Sequence, residues 1–352
     1  MVSAHGAAAL GGAEIELLIF GGVVIVLAFV FRFSGERDAR AALITLVVGI
    51  ALIIGAFAIP RASATPLPRA PDCPIFPSDN HWNLRVDDLP VHERSAAIVR
   101  SIGRSTGLHP DFGSGRYEGS RIGIPFVTVS GSQDKVPVRF RYAGESDPGP
   151  YPIPRDAPIE GGRGSDGDRH VIVVDRTDCK LYELFAAYPI DGGDRWRAGS
   201  GATWDLSSNR LRPKGDTSAD AAGLPILPGL VRYDEVAKGE IDHALRFTVS
   251  DTRRAFIYPA RHFASDLTGP NLPAMGQRLR LDKGFDISGF PRQARVILRA
   301  LKRYGMIVAD NGSDWYITGA PNKGWNNDAL LTLGRVEGRH FEVVDTSVLP
   351  RP

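Results

Sequence analysis

The sequence lacks the residues and motifs that mark the commonest enzyme classes. It has two cysteines, which excludes a cysteine-based metal cluster. It contains no Walker-type phosphate loop, no HExxH zinc motif and no GxSxG nucleophile motif. Its charge is nearly balanced, with 42 Lys and Arg against 40 Asp and Glu and a net charge of +2. This balance gives no basic footprint for a nucleic acid, so nucleic-acid binding is excluded as the function.

One glycine motif is present, but in the wrong context. Residues 162–167 spell GxGxxG, yet they precede the predicted strand at 170–175. A dinucleotide site requires the motif to follow a strand and open a helix, so we interpret it as a turn. We expect no metal and no cofactor. Calcium shared by Asp166 and Asp168 is the open alternative, although no complete calcium-binding loop is present.

Two apolar runs within residues 1–60 predict a transmembrane helical hairpin. Its helices span about 17–33 and 41–59, and the second run approaches the roughly 20 residues that cross a bilayer. The loop at 32–40 contains arginines, whereas the tail before the first helix has no Lys or Arg. Because positively charged loops stay in the cytoplasm, both ends of the hairpin should lie outside it.

A signal peptide is the alternative interpretation of the second run. The stretch Ala62-Ser63-Ala64 matches an A-x-A cleavage site. The sequence shows no basic segment before the first run, and two apolar runs are one too many for a simple signal peptide, so we favour the anchored form. In both cases the bulk of the chain is exported. We therefore expect a cell-membrane protein with its C-terminal domain outside the cytoplasm.

The cysteines are consistent with export. Cys73 lies in a proline-rich linker at 61–77, and Cys179 lies at the start of a predicted strand. An oxidising compartment allows a disulfide between them, which would join the linker to the sheet. Two buried free thiols are the alternative.

Strand patterns dominate residues 78–352, which we predict to form one extracytoplasmic domain. The fold class is mainly β, an antiparallel sandwich or distorted barrel with a few helices. The predicted strands and helices, in chain order, are a helix at 91–102, a hairpin of 122–129 with 136–142, an antiparallel pair of 170–175 with 180–187, a continuation of the sheet at 196–204, a short helix ending before Gly239, strands at 244–249 and 255–258, a long helix from Pro291 to Gly305, and strands at 306–310, 315–318 and 341–344.

The stretch 217–262 concentrates polar residues between turns and strands, so the functional face is predicted there. Asp242 and His243 precede one predicted strand and His262 follows the next, while Asp220 lies in a run of small residues and Asp310 ends a strand. An aspartate can orient an imidazole and a histidine can transfer protons. Neighbouring strand residues point to opposite faces, so Asp242 need not contact His243. A structural role for each residue is the alternative.

Two carboxyl groups, one protonated and one ionised, are what glycoside hydrolysis needs. We select Asp242, His243, His262, Asp220 and Asp310 as the candidate catalytic residues. The candidate substrate-binding residues are Arg232, Arg261, Trp204 and Trp315, since a tryptophan ring suits a sugar as well as a core.

Three runs, SADAAGLPILPGLVRYDEVAKGEIDHALRF, YPARHFAS and ALKRYGMIVADNGS, resemble a family of exported bacterial proteins that carries no assigned activity. The resemblance covers residues 73–348. It implies export and a single folded unit, and it transfers no catalytic residue.

These observations lead to two hypotheses from different classes. The first is a membrane-anchored, extracytoplasmic domain that binds a polysaccharide of the cell envelope or surroundings and acts on it as a glycoside hydrolase. The second is a non-catalytic surface or scaffold protein that binds a protein partner.

The orientation of the hairpin is testable in intact cells. A single cysteine placed in the loop at 32–40 should resist a membrane-impermeant thiol reagent, because that loop is expected in the cytoplasm. A cysteine placed in the domain after residue 78 is the matched control and should react. Labelling of the loop in intact cells would reverse the predicted topology.

Overall fold

A computed structural model describes residues 64–351, and the predicted hairpin at 17–33 and 41–59 lies outside the described residues. Within that range no helix is both long enough and apolar enough to cross a bilayer. The strands, in chain order, are β1 (His109–Asp111), β2 (Arg116–Tyr117), β3 (Ser120–Arg121), β4 (Phe126–Val129), β5 (Val138–Phe140), β6 (Val171–Asp175), β7 (Lys180–Phe185), β8 (Tyr188–Ile190), β9 (Arg195–Ala198), β10 (Ser200–Asp205), β11 (Leu245–Val249), β12 (Arg278–Leu281), β13 (Met306–Asn311), β14 (Tyr316–Thr318) and β15 (Phe341–Val343). The helices are α1 (Ser95–Ile102), α2 (Tyr233–Lys238), α3 (Arg292–Arg303) and α4 (Asn327–Leu331).

The strands form open sheets of mixed direction. The largest has six strands in the order β1-β14-β11-β13-β12-β15, and the second has the order β10-β7-β6-β4. A three-stranded sheet, β5-β9-β8, and the small hairpin β2-β3 complete the described part. The prediction of a mainly β domain with a few helices is confirmed.

The strand directions differ from the antiparallel arrangement that the sequence predicted. Four pairs are parallel: β1 with β14, β4 with β6, β5 with β9, and β11 with β13. The predicted hairpin of 122–129 with 136–142 does not form, because β4 joins β6 while β5 joins β9 in another sheet. The predicted strand at 255–258 is irregular chain in which only Phe256 makes an isolated bridge, to Met275.

Strand β6 lies between two hydrophobic cores. Its residues are all buried, and alternate side chains point to opposite faces. Ile172 and Val174 pack into the main core, whereas Val171 and Val173 pack into a smaller second core. A strand covered on both faces needs a continuous apolar run, which explains why this one lacks polar alternation.

Helix α3 forms as its pattern predicts. Pro291 is the residue that precedes its first turn, and Gly305, at a φ of 67°, follows its end. The apolar side, which includes Ile297 and Leu301, is fully buried. Helix α2 ends at Lys238 and is followed by Gly239, whose left-handed φ of 103° a residue with a side chain would rarely adopt.

The structure places the described part of the predicted linker, from Ala64, in the domain. Leu67, Cys73 and Ile75 are buried in the main core. Cys73 forms the predicted disulfide with Cys179, and their Cα atoms lie 5.2 Å apart. The segment therefore packs against the sheets and is covalently fixed to the turn before β7.

The disulfide should contribute measurably to stability because it closes a loop with a sequence separation of 106 residues. The chain-entropy relation gives about 3 to 5 kcal/mol for a loop of this size, and measured values are often lower. We expect Cys73→Ala/Cys179→Ala to lower the free energy of unfolding by that order in chemical denaturation. Wild type unfolded with a reductant is the control and should approach the double variant. Equal stability with and without the bond would contradict the expectation.

Candidate functional site

A row of polar side chains crosses one face of the six-stranded sheet. In the register of the strands, Asp111 of β1 pairs with Thr318 of β14, and the next strand contributes Arg246 of β11. Asp310 comes from β13, on the far side of β11. Because residues paired across a sheet share a face, four neighbouring strands place these side chains together.

A bulge in β13 brings Asp310 to that face. Phe247 pairs with Val308, but Thr248 pairs with Asp310, so Ala309 is the extra residue. In a regular strand Asp310 would point to the opposite side of the sheet. The carbonyl of Ala309 accepts a hydrogen bond from the backbone N–H of Ala222, at 2.9 Å, which links the bulge to the loop that carries Asp220.

Arg246 is the centre of the row. Its Nε and Nη2 donate to the two oxygens of Asp220, each at 2.7 Å, and Nη2 also donates to Asp310 at 3.3 Å. Its Nη1 donates to the Thr318 hydroxyl at 2.7 Å. Arg246 and Asp220 are buried, whereas 21% of the Asp310 side chain is exposed. A buried guanidinium requires compensating carboxylates, and the bidentate geometry to Asp220 supplies the strongest kind.

The loop holding Asp220 is fixed by backbone contacts. The Ser218 hydroxyl donates to the carbonyl of Leu224, and it accepts from the N–H of Asp220 at 2.9 Å. Gly223 has a φ of 67°, and a Cβ there would lie 2.6 Å from the carbonyl oxygen of Asp216. Further along, both oxygens of buried Glu183 accept from the N–H of Ile226. Burial raises the pKa of Glu183 to about 7, although these bonds favour its ionised form.

A second acid–base pair faces the row from the segment before β6. The Nδ1 of His170 donates to Glu160 at 2.5 Å, and its Nε2 donates to the carbonyl of Ala219 at 3.1 Å. Both ring nitrogens therefore have acceptor partners, which suits the imidazolium. Burial alone would lower the pKa of His170, but the Glu160 charge outweighs it and raises the pKa to about 9.

The surroundings of Asp310 and Glu160 shift the pKa values of these two carboxyl groups in opposite directions. Burial and the neighbouring Asp220 charge raise the pKa of Asp310 to about 8. Burial opposes ionisation of Glu160, but the His170 cation and its hydrogen bonds lower the pKa of Glu160 overall. These environments favour the protonated form of Asp310 and the ionised form of Glu160. Burial of the carboxyl group and the charge of Glu160 also raise the pKa of Asp111.

Of the predicted catalytic residues, Asp220 and Asp310 come together. His262 lies behind the Asp220 loop, where its Nδ1 donates to the carbonyl of Ala221 at 2.8 Å. His243 is fully buried elsewhere, with its Nε2 3.2 Å from the Glu235 carboxylate. Asp242 is half-buried, and burial and the Glu240 charge raise its pKa.

The predicted substrate-binding residues have structural contacts. Arg232 is buried and donates to Glu235 at 2.8 Å and to the carbonyl of Thr65. Arg261 donates through Nε to the carbonyl of Arg212. Trp204 is buried in the main core, and fully buried Trp315 packs between Phe247 and Phe341 and donates to the carbonyl of Gly103. Neither tryptophan presents a ring face to solvent.

Sequence reasoning did not select Arg246 or His170. Each had a usable signal, because Arg246 interrupts the apolar strand run at 244–249 and His170 directly precedes the apolar run of β6. A charged or titratable residue in such a setting needs a buried partner.

The described residues show no group of three or more His, Cys, Asp or Glu side chains placed to ligate a metal ion. Asp166 and Asp168 are exposed. The chain matches no protein-family model, no curated protein and no solved structure in the three comparisons made.

The His170–Glu160 pair predicts a pH-dependent stability. The folded pKa of His170, about 9, exceeds its ordinary value of 6.5, so its stabilising contribution is complete below about 6.5 and is lost as pH rises through about 9. We expect the free energy of unfolding to fall by roughly 1 to 3 kcal/mol over this window.

Denaturant unfolding of wild type, His170→Gln and Glu160→Gln at pH 6 and 9.5 measures this effect. Both variants should be less stable than wild type at the lower pH, with the gap narrowing at the higher pH. A constant gap for both variants would show that the pair contributes by packing and not by charge.

Proposed function

We propose that this protein is a polysaccharide-binding hydrolase that acts outside the cytoplasm, anchored by the hairpin at 17–33 and 41–59. The observation that carries the proposal is the opposite shift of two solvent-accessible carboxyl groups. Asp310 is held protonated and Glu160 ionised, and each lies in the field of the Arg246 and His170 cations. Glycosidic bonds are cleaved by such a combination of an acid and a carboxylate.

In the proposed step, Asp310 donates its proton to the glycosidic oxygen as the bond to the anomeric carbon breaks. A water molecule attacks the anomeric carbon, and its proton passes to Glu160. The products are two shorter saccharides, and exchange with solvent restores the proton on Asp310. Arg246 keeps its charge throughout and stabilises the carboxylate left on Asp310, which already lies 3.3 Å from Nη2.

The buried partners have positioning roles in this scheme. Asp220 holds Arg246 with two hydrogen bonds, and its charge keeps the proton on Asp310. His170 keeps Glu160 ionised and fixes one of its oxygens, while the other remains available to water. Exposure of 21% of the Asp310 side chain and 23% of the Glu160 side chain leaves both reachable by a ligand.

Replacement of the proton donor tests the proposal. Asp310→Asn keeps the size of the side chain and a neutral group beside Asp220, so the domain should remain folded at pH 7. We expect hydrolysis to fall by roughly 10²- to 10⁴-fold, the usual contribution of a general acid. The measurement is release of reducing ends from peptidoglycan sacculi, polygalacturonate and xylan by the full-length chain. Wild-type activity should decline as pH rises through about 8, where Asp310 loses its proton.

Asp251→Asn is the matched control, since it makes the same change at an exposed aspartate just after β11. This variant should retain the wild-type rate. Failure of the wild-type chain to release reducing ends from any of the three polymers, or an unchanged rate in Asp310→Asn, would reject the catalytic proposal. A loss of stability alone in Asp310→Asn would favour the scaffold hypothesis.

A further inference from the structure

A basic groove, defined here by two adjoining recesses, lies beside the β2-β3 hairpin. The first recess has a volume of about 660 Å³ and the second about 440 Å³. Arg116 and Arg121 line both recesses. Arg69 and Lys323 add positive charge to the first, and Arg163 adds it to the second.

The charge of this groove is not a reflection of overall composition. The chain has nearly equal numbers of basic and acidic residues, yet no carboxylate lines the first recess and only Asp156 lines the second. The five groove cations are exposed, and they form no ion pair with another described residue. A concave surface with one sign of charge concentrates ions of the opposite sign.

The hairpin itself carries an unfavourable pair. Arg116 and Arg121 are directly opposite each other in the register of β2 and β3. Like charges at such positions destabilise a sheet, and a two-stranded hairpin has little other stability. An anion bound between the two guanidinium groups would remove this repulsion. The pairing therefore points to a negatively charged ligand, independently of the shape of the groove.

The groove lies next to the candidate site along the chain. Gly113, which lines the first recess, is two residues from Asp111. Ile159 and Gly162, which line the second, flank Glu160. A chain-like ligand in the groove would thus pass the segments that carry two carboxyl groups of the site.

We propose that this groove binds an acidic polysaccharide, with carboxylate groups spaced along the chain contacting Arg116, Arg121 and their neighbours. Two adjoining recesses fit a polymer better than a single small ion. The two recesses have no aromatic lining residue, so they lack the stacking platforms on which single-stranded nucleic acids bind. The identification of the polymer as the substrate rests on the proposed function, whereas binding itself does not.

The test measures binding of the full-length chain to polygalacturonate, with dextran as the neutral polymer, by isothermal titration calorimetry at low and high salt. Polygalacturonate should bind and dextran should not, and affinity should fall with salt because the contacts are exposed. Arg116→Gln/Arg121→Gln should weaken binding by roughly fivefold to thirtyfold, as expected for two exposed charge contacts. Arg100→Gln/Arg104→Gln, two exposed arginines outside the groove, should bind like wild type.

Equal binding of both polymers, or unchanged affinity in the groove variant, would overturn the proposal. Stronger groove-dependent binding to anionic lipid vesicles or to single-stranded DNA than to polygalacturonate would overturn it in favour of that ligand. Asp310→Asn separates the two proposals. If it binds polygalacturonate normally and wild type releases no reducing ends, the groove stands and the hydrolase proposal fails.

Discussion

The buried charge of Arg246 is the constraint on which the centre of this domain depends. A guanidinium inside a β-sheet is tolerated only when its N–H donors have carboxylate or hydroxyl acceptors, and three chain segments supply them. Asp220 arrives from a long loop, Asp310 from a neighbouring strand through a bulge, and Thr318 from the strand on the other side. The hydrogen bonds of Arg246 thus fix the relative positions of distant parts of the sequence. They also hold the partly exposed carboxyl group of Asp310 beside the guanidinium.

Local sequence patterns were sufficient to predict many of the helices and strands. The apolar face of α3, the glycine after α2 and the β-branched run of β6 each predicted an element that forms. They were insufficient for strand partners, since β4 and β5 could pair locally as a hairpin but join separate strands across the domain. Strand pairing depends on contacts between segments that lie far apart in the sequence, and a short stretch of sequence does not contain this information. The disulfide was predictable because only two cysteines exist.

The candidate site was harder to predict for a related reason. Asp220 and Asp310 were selected, but Arg246, the residue that joins them, was not. His243, chosen for its aspartate neighbour, contacts Glu235 instead, eight residues earlier. Neighbours in sequence were poor guides to contacts here, because long-range ion pairs decide which charges meet. A buried polar residue is recognisable from sequence, whereas its partner is a property of the tertiary fold.

The single extra residue at Ala309 has a consequence for how this site can change. The alternation of a strand means that insertion or loss of one residue before Asp310 would exchange its side chain with that of an apolar neighbour. A carboxyl group would then face the opposite core and Arg246 would lose one of its acceptors. The position of this carboxyl group therefore depends on the number of residues in strand β13 as well as on their identities.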